Sequence, residues 1–181
     1  LPNTVVATCF ASNVTRLESL IMAAEAAGRT PVLLGRSLLY NVKIAKELGY
    51  FQELPKCFDI KDAADIPSDN ALYICTGSQA NYRSALTSIV NGQSPYVKLG
   101  KGDSVIFSSK IIPGNEEKIN DMQEKLIAAG VNVITDKDAL VHTSGHCSKE
   151  EIKQMYQMLR PRIVLPVHGE KKFIREHKYF A

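Results

Sequence analysis

The sequence predicts an α/β fold with a mainly parallel β-sheet flanked by helices, and three observations support that prediction. Short runs rich in Val, Ile and Leu alternate with amphipathic segments along most of the 181 residues. Most of these runs are apolar throughout, which is typical of parallel strands that are covered on both faces. The hydrophobic content of 45% is enough to fill a core of this size.

Six segments are predicted as strands because they are short and rich in β-branched residues. The helices between them make crossovers, which are right-handed in nearly all parallel sheets. The stretch from Tyr50 to Asn70 has no periodicity and carries two prolines, so we interpret it as the connection between two halves of the fold. The predicted strands are TVVATCF (4–10), PVLLG (31–35), ALYICTG (71–77), SVIFSS (104–109), VNVIT (131–135) and RIVLPVHG (162–169).

Four amphipathic stripes predict helices, since their apolar residues recur every three or four positions. The first three stripes end before glycines at 28, 49 and 130, as helix C-caps commonly do. The fourth opens at Ser148 with Glu151 three residues on, which is a capping box, and it closes before Pro161. A strand and a final helix are expected after it. The stripes are Val14, Leu17, Ile21, Ala24; Leu38, Val42, Ala45, Leu48; Ile119, Met122, Leu126; and Ile152, Met155, Tyr156, Leu159.

Charge, cysteines and hydropathy exclude several classes of protein. The net charge of +3 is too small to prove a polyanionic partner. The four cysteines show no CxxC pair and no zinc-finger spacing, so they indicate reduced, mostly buried thiols of a cytosolic protein. No apolar run reaches the length of a membrane span. The abrupt opening LPNTVVATCF suggests a piece cut from a longer protein.

Small polar residues follow the strands at their predicted carboxyl ends. Examples are Ser12 with Asn13, the segment Thr76–Gln79, and Ser108–Lys110. Ligands of open α/β sheets bind at this edge, and helices that begin there would present N–H donors to a phosphate. Taken singly, Ser12 or Asn13, and Ser78, are better explained as ordinary helix N-caps, which is the usual role of such residues. The coincidence of several such segments at one edge favours a phosphate site.

Three chemistries compete for HTSGHCS, residues 142–148. A zinc site is poorly supported because no carboxylate or second cysteine lies at a suitable spacing. A cysteine phosphatase loop needs an arginine six residues after Cys147, where this chain has Lys153. A histidine acting as general acid beside hydroxyl and glycine donors fits better, since phosphodiester cleavage needs a proton for the leaving oxygen.

Five motifs, in this order and spacing, resemble the β-CASP region of the ribonuclease J family, within the metallo-β-lactamase-fold nucleases. They are FASN with Arg16, TGSQ, FSSKIIPGN, HTSGH and LRPRIVLPVHGE, and the resemblance covers nearly the whole chain. It implies a Rossmann-like β-CASP domain over residues 1–144. Residues 145–181 would then be a return segment toward a metallo-β-lactamase domain absent from this chain.

The resemblance also implies roles for single residues. His146 matches the family's histidine for acid catalysis or transition-state stabilisation. His168 matches a ligand of a two-ion metal centre, normally zinc and sometimes manganese. Phosphate-contacting or cleft-lining positions are implied for Ser12, Asn13, Ser78, Ser108, His142, Ser144 and Gly145.

The family resemblance implies an RNA-processing enzyme. The full-length protein would be a 5′-to-3′ exonuclease and endonuclease that hydrolyses single-stranded RNA, prefers a 5′-monophosphate end and forms a homo-oligomer. Metal-activated hydroxide would attack the phosphate. The chain lacks the family's HxHxDH motif, so the isolated chain is expected to bind no metal and to be inactive.

Two alternatives and one departure from the family remain. A stand-alone module that binds a nucleotide or an RNA end without catalysis is the main alternative. A Rossmann-like oxidoreductase is the weakest, because no GxGxxG follows the first strand. The family usually continues TGSQGE, whereas Ala80 and Asn81 follow Gln79 here, which puts any role of a glutamate at that point in doubt.

Overall fold

Six parallel strands form one sheet in the computed structural model, which describes residues 1–167 and 169–181. The strands are β1 (Val5–Thr8), β2 (Thr30–Leu34), β3 (Phe58–Asp59), β4 (Ala71–Cys75), β5 (Ser104–Phe107) and β6 (Asn132–Ile134). Their order across the sheet is β3-β2-β4-β1-β5-β6. In the central register, Val6 of β1 lies between Tyr73 of β4 and Val105 of β5. The mainly parallel α/β fold predicted from the sequence is thereby confirmed.

Four helices accompany the sheet within a first compact unit, Leu1–Thr143. Right-handed crossovers place connections that run in opposite directions along the sheet on opposite faces. The first two helices lie in connections that lead toward the β3 edge of the sheet, and the next two lie in connections that lead toward the β6 edge. They are α1 (Val14–Ala26), α2 (Arg36–Glu47), α3 (Ala85–Val90) and α4 (Glu116–Ala128).

A hydrophobic core lies on each face of the sheet. On one face, Leu17 and Ile21 of α1 and Leu38 of α2 pack with Ala7 and Ile74 from the strands. The core on the other face includes strand residues together with Leu86 and Ile89 of α3 and Ile119, Met122 and Leu126 of α4. Burial from both sides explains why β1 and β4 carry almost no polar residue.

Two charged residues form hydrogen bonds with backbone groups near the amino ends of the strands. Arg29 donates to the carbonyls of Ala71, Leu1 and Asn3 at 2.6–2.8 Å. Asp103 accepts from the backbone N–H groups of Thr4 and Gly100. Several backbone groups at this edge are therefore hydrogen-bonded to side chains within the fold.

The second compact unit, Ser144–Ala181, consists of two helices and their connections. These are α5 (Lys149–Leu159) and α6 (Lys171–Phe180). The predicted capping box is present, because Ser148 and Glu151 each accept from the other's backbone N–H. Tyr156 of α5 and His177 of α6 are hydrogen-bonded through the hydroxyl and Nε2. None of the described residues of this unit is buried.

Two local predictions need correction, and one helix was not predicted. The connection 50–70 contributes β3 at the sheet edge, although two residues of strand leave no pattern to detect. Helix α3 was not predicted, since six residues are too few to show a period. The strand predicted at 162–169 is absent over residues 162–167 as described, because a strand needs a neighbour to pair with and the unit offers none.

The four helices predicted from stripes all form, and the end residues differ only slightly from the pattern. Leu48 is the one stripe residue that lies outside its helix, because α2 ends at Glu47 and Leu48 stands at the C-cap. Among the described residues, no helix has the length and apolar character needed to cross a membrane.

Candidate functional site

The turn after β1 contains Ser12 and Asn13. Asn13 is the N-cap of α1, and its side-chain oxygen accepts from the backbone N–H of Arg16 at 3.0 Å and from the Thr15 hydroxyl. Ser12 is exposed and lines an open hollow of about 570 Å³ together with Phe10 and Tyr50. The capping role of Asn13 is therefore present in the fold, and its amide N–H₂ group is the part left for a ligand.

Arg16 connects α1 with the last residues of the first unit. Its guanidinium donates to the hydroxyl of Thr143 at 2.8 Å and to the carbonyl of Thr143 at 3.2 Å. Its Nε is buried without a partner among residues 1–167 and 169–181. The motif FASN and the segment ending in Thr143 are thus held together, although 127 positions separate the two bonded residues.

His142 lies next to this arginine. Its Nδ1 is buried and has no hydrogen-bond partner in the described part of the chain. Burial lowers the pKa of His142 below its usual 6.5, and the Arg16 guanidinium lowers it further. The Ser108 backbone and Asp136 act in the opposite direction, and Lys110 adds to the lowering. An anion bound beside Arg16, Lys110 and His142 would relieve the repulsion among them.

Ser108 follows β5 and is buried. Its hydroxyl donates to the carbonyl of Val141 at 2.6 Å, so its proton is already engaged within the fold. The bond fixes the segment that precedes His142 against the end of β5. Ser108 therefore positions the histidine segment in this structure, and only its oxygen lone pairs remain for a ligand.

Gln79 joins two of the motifs through its side chain. Its amide nitrogen donates to the carbonyl of Lys110 at 2.8 Å, and its oxygen accepts from the backbone N–H of Ile112 at 2.9 Å. The Asn115 amide also donates to that oxygen. Gln79 is buried, so TGSQ and FSSKIIPGN are one connected structure at the carboxyl edge. Asn115 makes no side-chain cap bond to α4, although it stands at the cap position.

Ser78 and Gln79 do not lie at a helix start, which corrects the expectation for TGSQ. Helix α3 begins only at Ala85, and its N-cap is Ser84, whose hydroxyl accepts from the Thr87 N–H. Ser78 is instead 3% exposed and lines a cavity beside β5, β6 and α4. A phosphate held at a helix N-terminus is thus not what the local backbone at Ser78 provides.

A basic cleft that the sequence did not predict opens between the ends of β2 and β4. Arg36 and Arg83 line this space of about 600 Å³, together with Tyr82, whose side chain is 84% exposed. No acidic residue lines it. Exposed aromatic and guanidinium groups side by side are typical of surfaces that contact single-stranded nucleic acid. The only sequence signal was the departure from the family pattern after Gln79.

That departure has a structural consequence at Ala80. Its φ of 52° lies in the left-handed region, which favours glycine. Arg83 has a φ of 61° in the same loop. The loop keeps the backbone conformation suited to the glycine of TGSQGE, while the side chains that it presents are different.

The remaining motif residues belong to the second unit. The Ser144 hydroxyl accepts from the backbone N–H of His146 at 3.1 Å, and Ser144, Gly145 and His146 are all exposed. His168, the predicted metal ligand, lies outside the described residues. Across residues 1–167 and 169–181 no group of three or more His, Cys, Asp or Glu side chains is arranged to hold a metal ion.

The cysteines contribute no reactive thiol to the sheet edge. All four are free, and burial raises the pKa of Cys9 to about 11 and that of Cys75 to about 12. Both thiols are therefore protonated and unreactive near neutral pH. Of the other two cysteines, Cys57 is half-buried and Cys147 is exposed.

Two family models match the chain. Residues 2–126 match "Ribonuclease J, beta-CASP domain", and residues 130–179 match "Zn-dependent metallo-hydrolase RNA specificity domain". The first match ends within α4, whereas the compact units divide between Thr143 and Ser144. Strand β6 therefore lies in the stretch of the second match but belongs to the sheet of the first unit.

Curated relatives named Ribonuclease J are similar over almost the whole chain. The protein from Sinorhizobium meliloti is 43% identical over 94% of this chain, and that from Mycolicibacterium smegmatis is 39% identical over 98%. The Thermus thermophilus protein is 38% identical over 99%. The chain covers only 30%, 32% and 31% of these relatives respectively, so it spans about a third of their length.

Proposed function

The chain belongs to the ribonuclease J family, and on that premise we propose that it is the RNA-binding β-CASP part of a metal-dependent ribonuclease. The observation that carries the proposal is that FASN, TGSQ, FSSKIIPGN and the start of HTSGH are joined by hydrogen bonds at one edge of the sheet in the first unit. Arg16, Ser108 and Gln79 each bind a residue of another motif or of the segment before His142. A fold that holds these segments together provides a continuous surface for a polyanionic strand.

We infer that phosphates of the RNA lie against the cluster of Arg16, Lys110 and His142. Two fixed positive charges and a histidine whose pKa they depress make a local excess of positive potential. Ser12 and the Asn13 amide would contribute neutral donors from the turn after β1. Ser144 and Gly145, with His142, would contribute the phosphate-contacting loop that the family resemblance implies.

His146 is the proposed catalytic acid. Its exposed side chain is accessible to a substrate, and the Ser144 hydroxyl accepts from its backbone N–H, which restrains the loop. In its protonated form the imidazole would donate a proton to the leaving oxygen of the cleaved phosphodiester.

The described residues do not fit a metal centre by themselves, since none of their clusters offers three ligands. Zinc appears in the description of the second family model, and we propose that a lactamase-like part of the full-length protein holds it. His168 would add one ligand from this chain. Two ions, and manganese in place of zinc, are the further details that the family resemblance suggests.

Exposed apolar side chains in the second unit support the proposal that another domain covers this unit. Ile163, Leu165 and Val167 are each more than three-quarters exposed, and Met158 and Leu159 of α5 are also largely exposed. Such a concentration is unusual for a surface that faces water. We propose that residues 145–181 return to the lactamase-like domain, which covers these side chains, and that residues 1–144 form the β-CASP domain.

The direct test uses the full-length protein with 5′-monophosphorylated single-stranded RNA. We expect 5′-to-3′ exonucleolytic decay, with internal cleavage as a second activity, and a slower rate on 5′-hydroxyl RNA. His146→Ala should lower kcat by about 10²–10⁴-fold, the usual range for a general acid, with little change in the dissociation constant for RNA. His168→Ala should lower the zinc content, which His146→Ala should leave unchanged.

The matched control is His177→Ala, because this histidine is bonded to Tyr156 and stands in none of the motifs. Its rate should stay within about twofold of the parent protein. Equal rates for His146→Ala and the parent would refute the catalytic role. If the full-length protein binds RNA ends and never cleaves them, its function is that of a stand-alone binding module and not of a ribonuclease. The oligomeric state, proposed as a homo-oligomer, is read from the mass of the same preparation by light scattering.

A further inference from the structure

A cavity of about 280 Å³ lies within the first unit at the carboxyl ends of β5 and β6. Helix α4 forms one wall, and Phe107 and Val133 of the strands form the apolar floor. Its volume is close to the lower end of the roughly 300–1,000 Å³ typical of small-molecule sites. The cavity therefore suits a single flat ring system and is too small for a dinucleotide.

Two buried serines line this cavity. Ser78 is 3% exposed and Ser109 is 6% exposed. Neither of them caps the neighbouring helices, whose N-cap residues are Ser84 for α3 and Asn115 for α4. A serine hydroxyl can both donate and accept a hydrogen bond. A ligand with polar edges could therefore exchange hydrogen bonds with both serines.

Two carboxamides face the same cavity from α4. Asn120 and Gln123 are three residues apart, so they lie on one side of the helix, and both line the space. A carboxamide offers a donor and an acceptor side by side, as the edges of nucleobases do. Ile111 and Ile127 complete the apolar part of the lining, against which a ring could pack.

The charges at the rim distinguish this cavity from a phosphate site. Asp136 and Asp138 both line it, with Lys137 as the single cation, which gives a net charge of −1. Hydrogen bonds from Thr135 lower the pKa of Asp138, so that carboxylate stays ionised. A phosphate would be repelled here, whereas a neutral ring with polar edges would not.

We propose that this cavity binds one unpaired nucleobase, with its ring on the apolar floor and its edge on Ser78, Ser109, Asn120 and Gln123. The base would come from bound RNA or from a free nucleoside. The RNA source rests on the proposed function, and the free nucleoside does not. Unpaired bases that are turned out of a strand are the usual targets of sequence-tolerant RNA recognition.

The test measures binding to the full-length protein by calorimetry, with adenosine, uridine and a short single-stranded RNA as separate probes. The variant Asn120→Leu/Gln123→Leu removes both carboxamides from positions that are not buried, so the fold should survive. We expect this double variant to bind at least one nucleoside about tenfold more weakly, because each substitution removes about one hydrogen bond to the base. Gln154→Leu, on exposed α5 outside every cavity described above, is the matched control and should change nothing.

The outcomes distinguish an RNA base from a free nucleoside as the ligand of the cavity. They also distinguish a failure of the cavity proposal from a failure of the proposed function. Weaker binding of RNA and of nucleoside in the double variant places an RNA base in the cavity, and weaker binding of nucleoside alone makes it a small-molecule site. Equal binding of all probes to the parent and the double variant overturns the inference, even where His146→Ala abolishes RNA decay. Competition by inorganic phosphate alone also overturns it. If the parent protein binds no RNA, the proposed function fails while the nucleoside measurements still decide the cavity.

Discussion

The two compact units of the chain follow the same local rules and differ in burial. In the first unit, Leu17, Ile21 and Leu38 are almost completely buried against the sheet. In the second unit, α5 has a full capping box and α6 has an amphipathic pattern, yet Leu159 and Phe173 are largely exposed. Local signals are thus enough to define a helix, whereas the free energy of burial must come from a partner.

The strongest test of this comparison removes the same side chain from each unit. Leu38→Ala should lower the free energy of unfolding of the 181-residue chain by about 2–5 kcal/mol, since Leu38 is 0% exposed and its loss leaves a cavity. Leu159→Ala, at 68% exposed, should change it by less than about 0.5 kcal/mol. Urea denaturation measures both. Equal losses would show that the second unit has a core that we have not identified.

A second test compares the N-caps of the two units. Asn13→Ala should cost about 1 kcal/mol of unfolding free energy, because the cap bond to the Arg16 N–H belongs to a cooperatively folded sheet domain. Ser148→Ala removes the capping box of α5 and should lower helical ellipticity without a matching shift of the main transition. Far-UV circular dichroism during the same titration separates the two effects. A common shift for both variants would mean that the units unfold together.

A third and smaller effect concerns the loop after β4. Ala80→Gly should stabilise the first unit by about 0.5–1 kcal/mol, since glycine removes the left-handed strain but adds chain entropy. Ala27→Gly is the control, because its φ of −89° gives glycine no such advantage. Thermal unfolding should rise for the first variant and not for the second. A lower melting temperature for Ala80→Gly would show that the Ala80 methyl group contributes more by packing than its φ costs.

The smallest effect is a pH dependence at His142. Its folded pKa lies below 6.5, so the unfolded chain binds the proton more tightly and stability falls as pH drops through and below 6.5. His142→Asn should flatten the stability profile on the acid side of that value and change little above pH 7.5. Added phosphate should have the opposite effect on the parent chain, because an anion beside Arg16 favours the charged imidazole. If stability falls as steeply below pH 6.5 in His142→Asn as in the parent chain, His142 is not the cause of this pH dependence.

Most of the sheet was predictable because strands that are buried on both faces are apolar throughout in the sequence. β1, β4, β5 and β6 fall within the predicted apolar runs, and β2 begins at Thr30, one residue before its run. The strand predicted at 162–169 is absent over the described residues 162–167, for a different reason. RIVLPVHG has the composition of a strand, but composition says nothing about where the neighbouring strand is to be found. β3 and α3 are too short to carry a period.

The candidate site was predictable only as far as it depends on the ends of strands. That Ser12 and Ser108 lie at one edge follows from strand direction alone, because each comes soon after the end of a parallel strand. The partners that fix them do not, since the bonds from Arg16 to Thr143 and from Gln79 to Lys110 join distant positions. The burial of Ser109 beside Asn120 likewise appears only after α4 has packed on β5.

The side chain of Gln79 has a consequence for how this protein could change over generations. Its three contacts make the backbone after β5 depend on the backbone after β4. An insertion or deletion in either loop would break the fit of the other. The two loops should therefore vary in length together or not at all, and a graft of either one into a related protein should succeed only when both are exchanged.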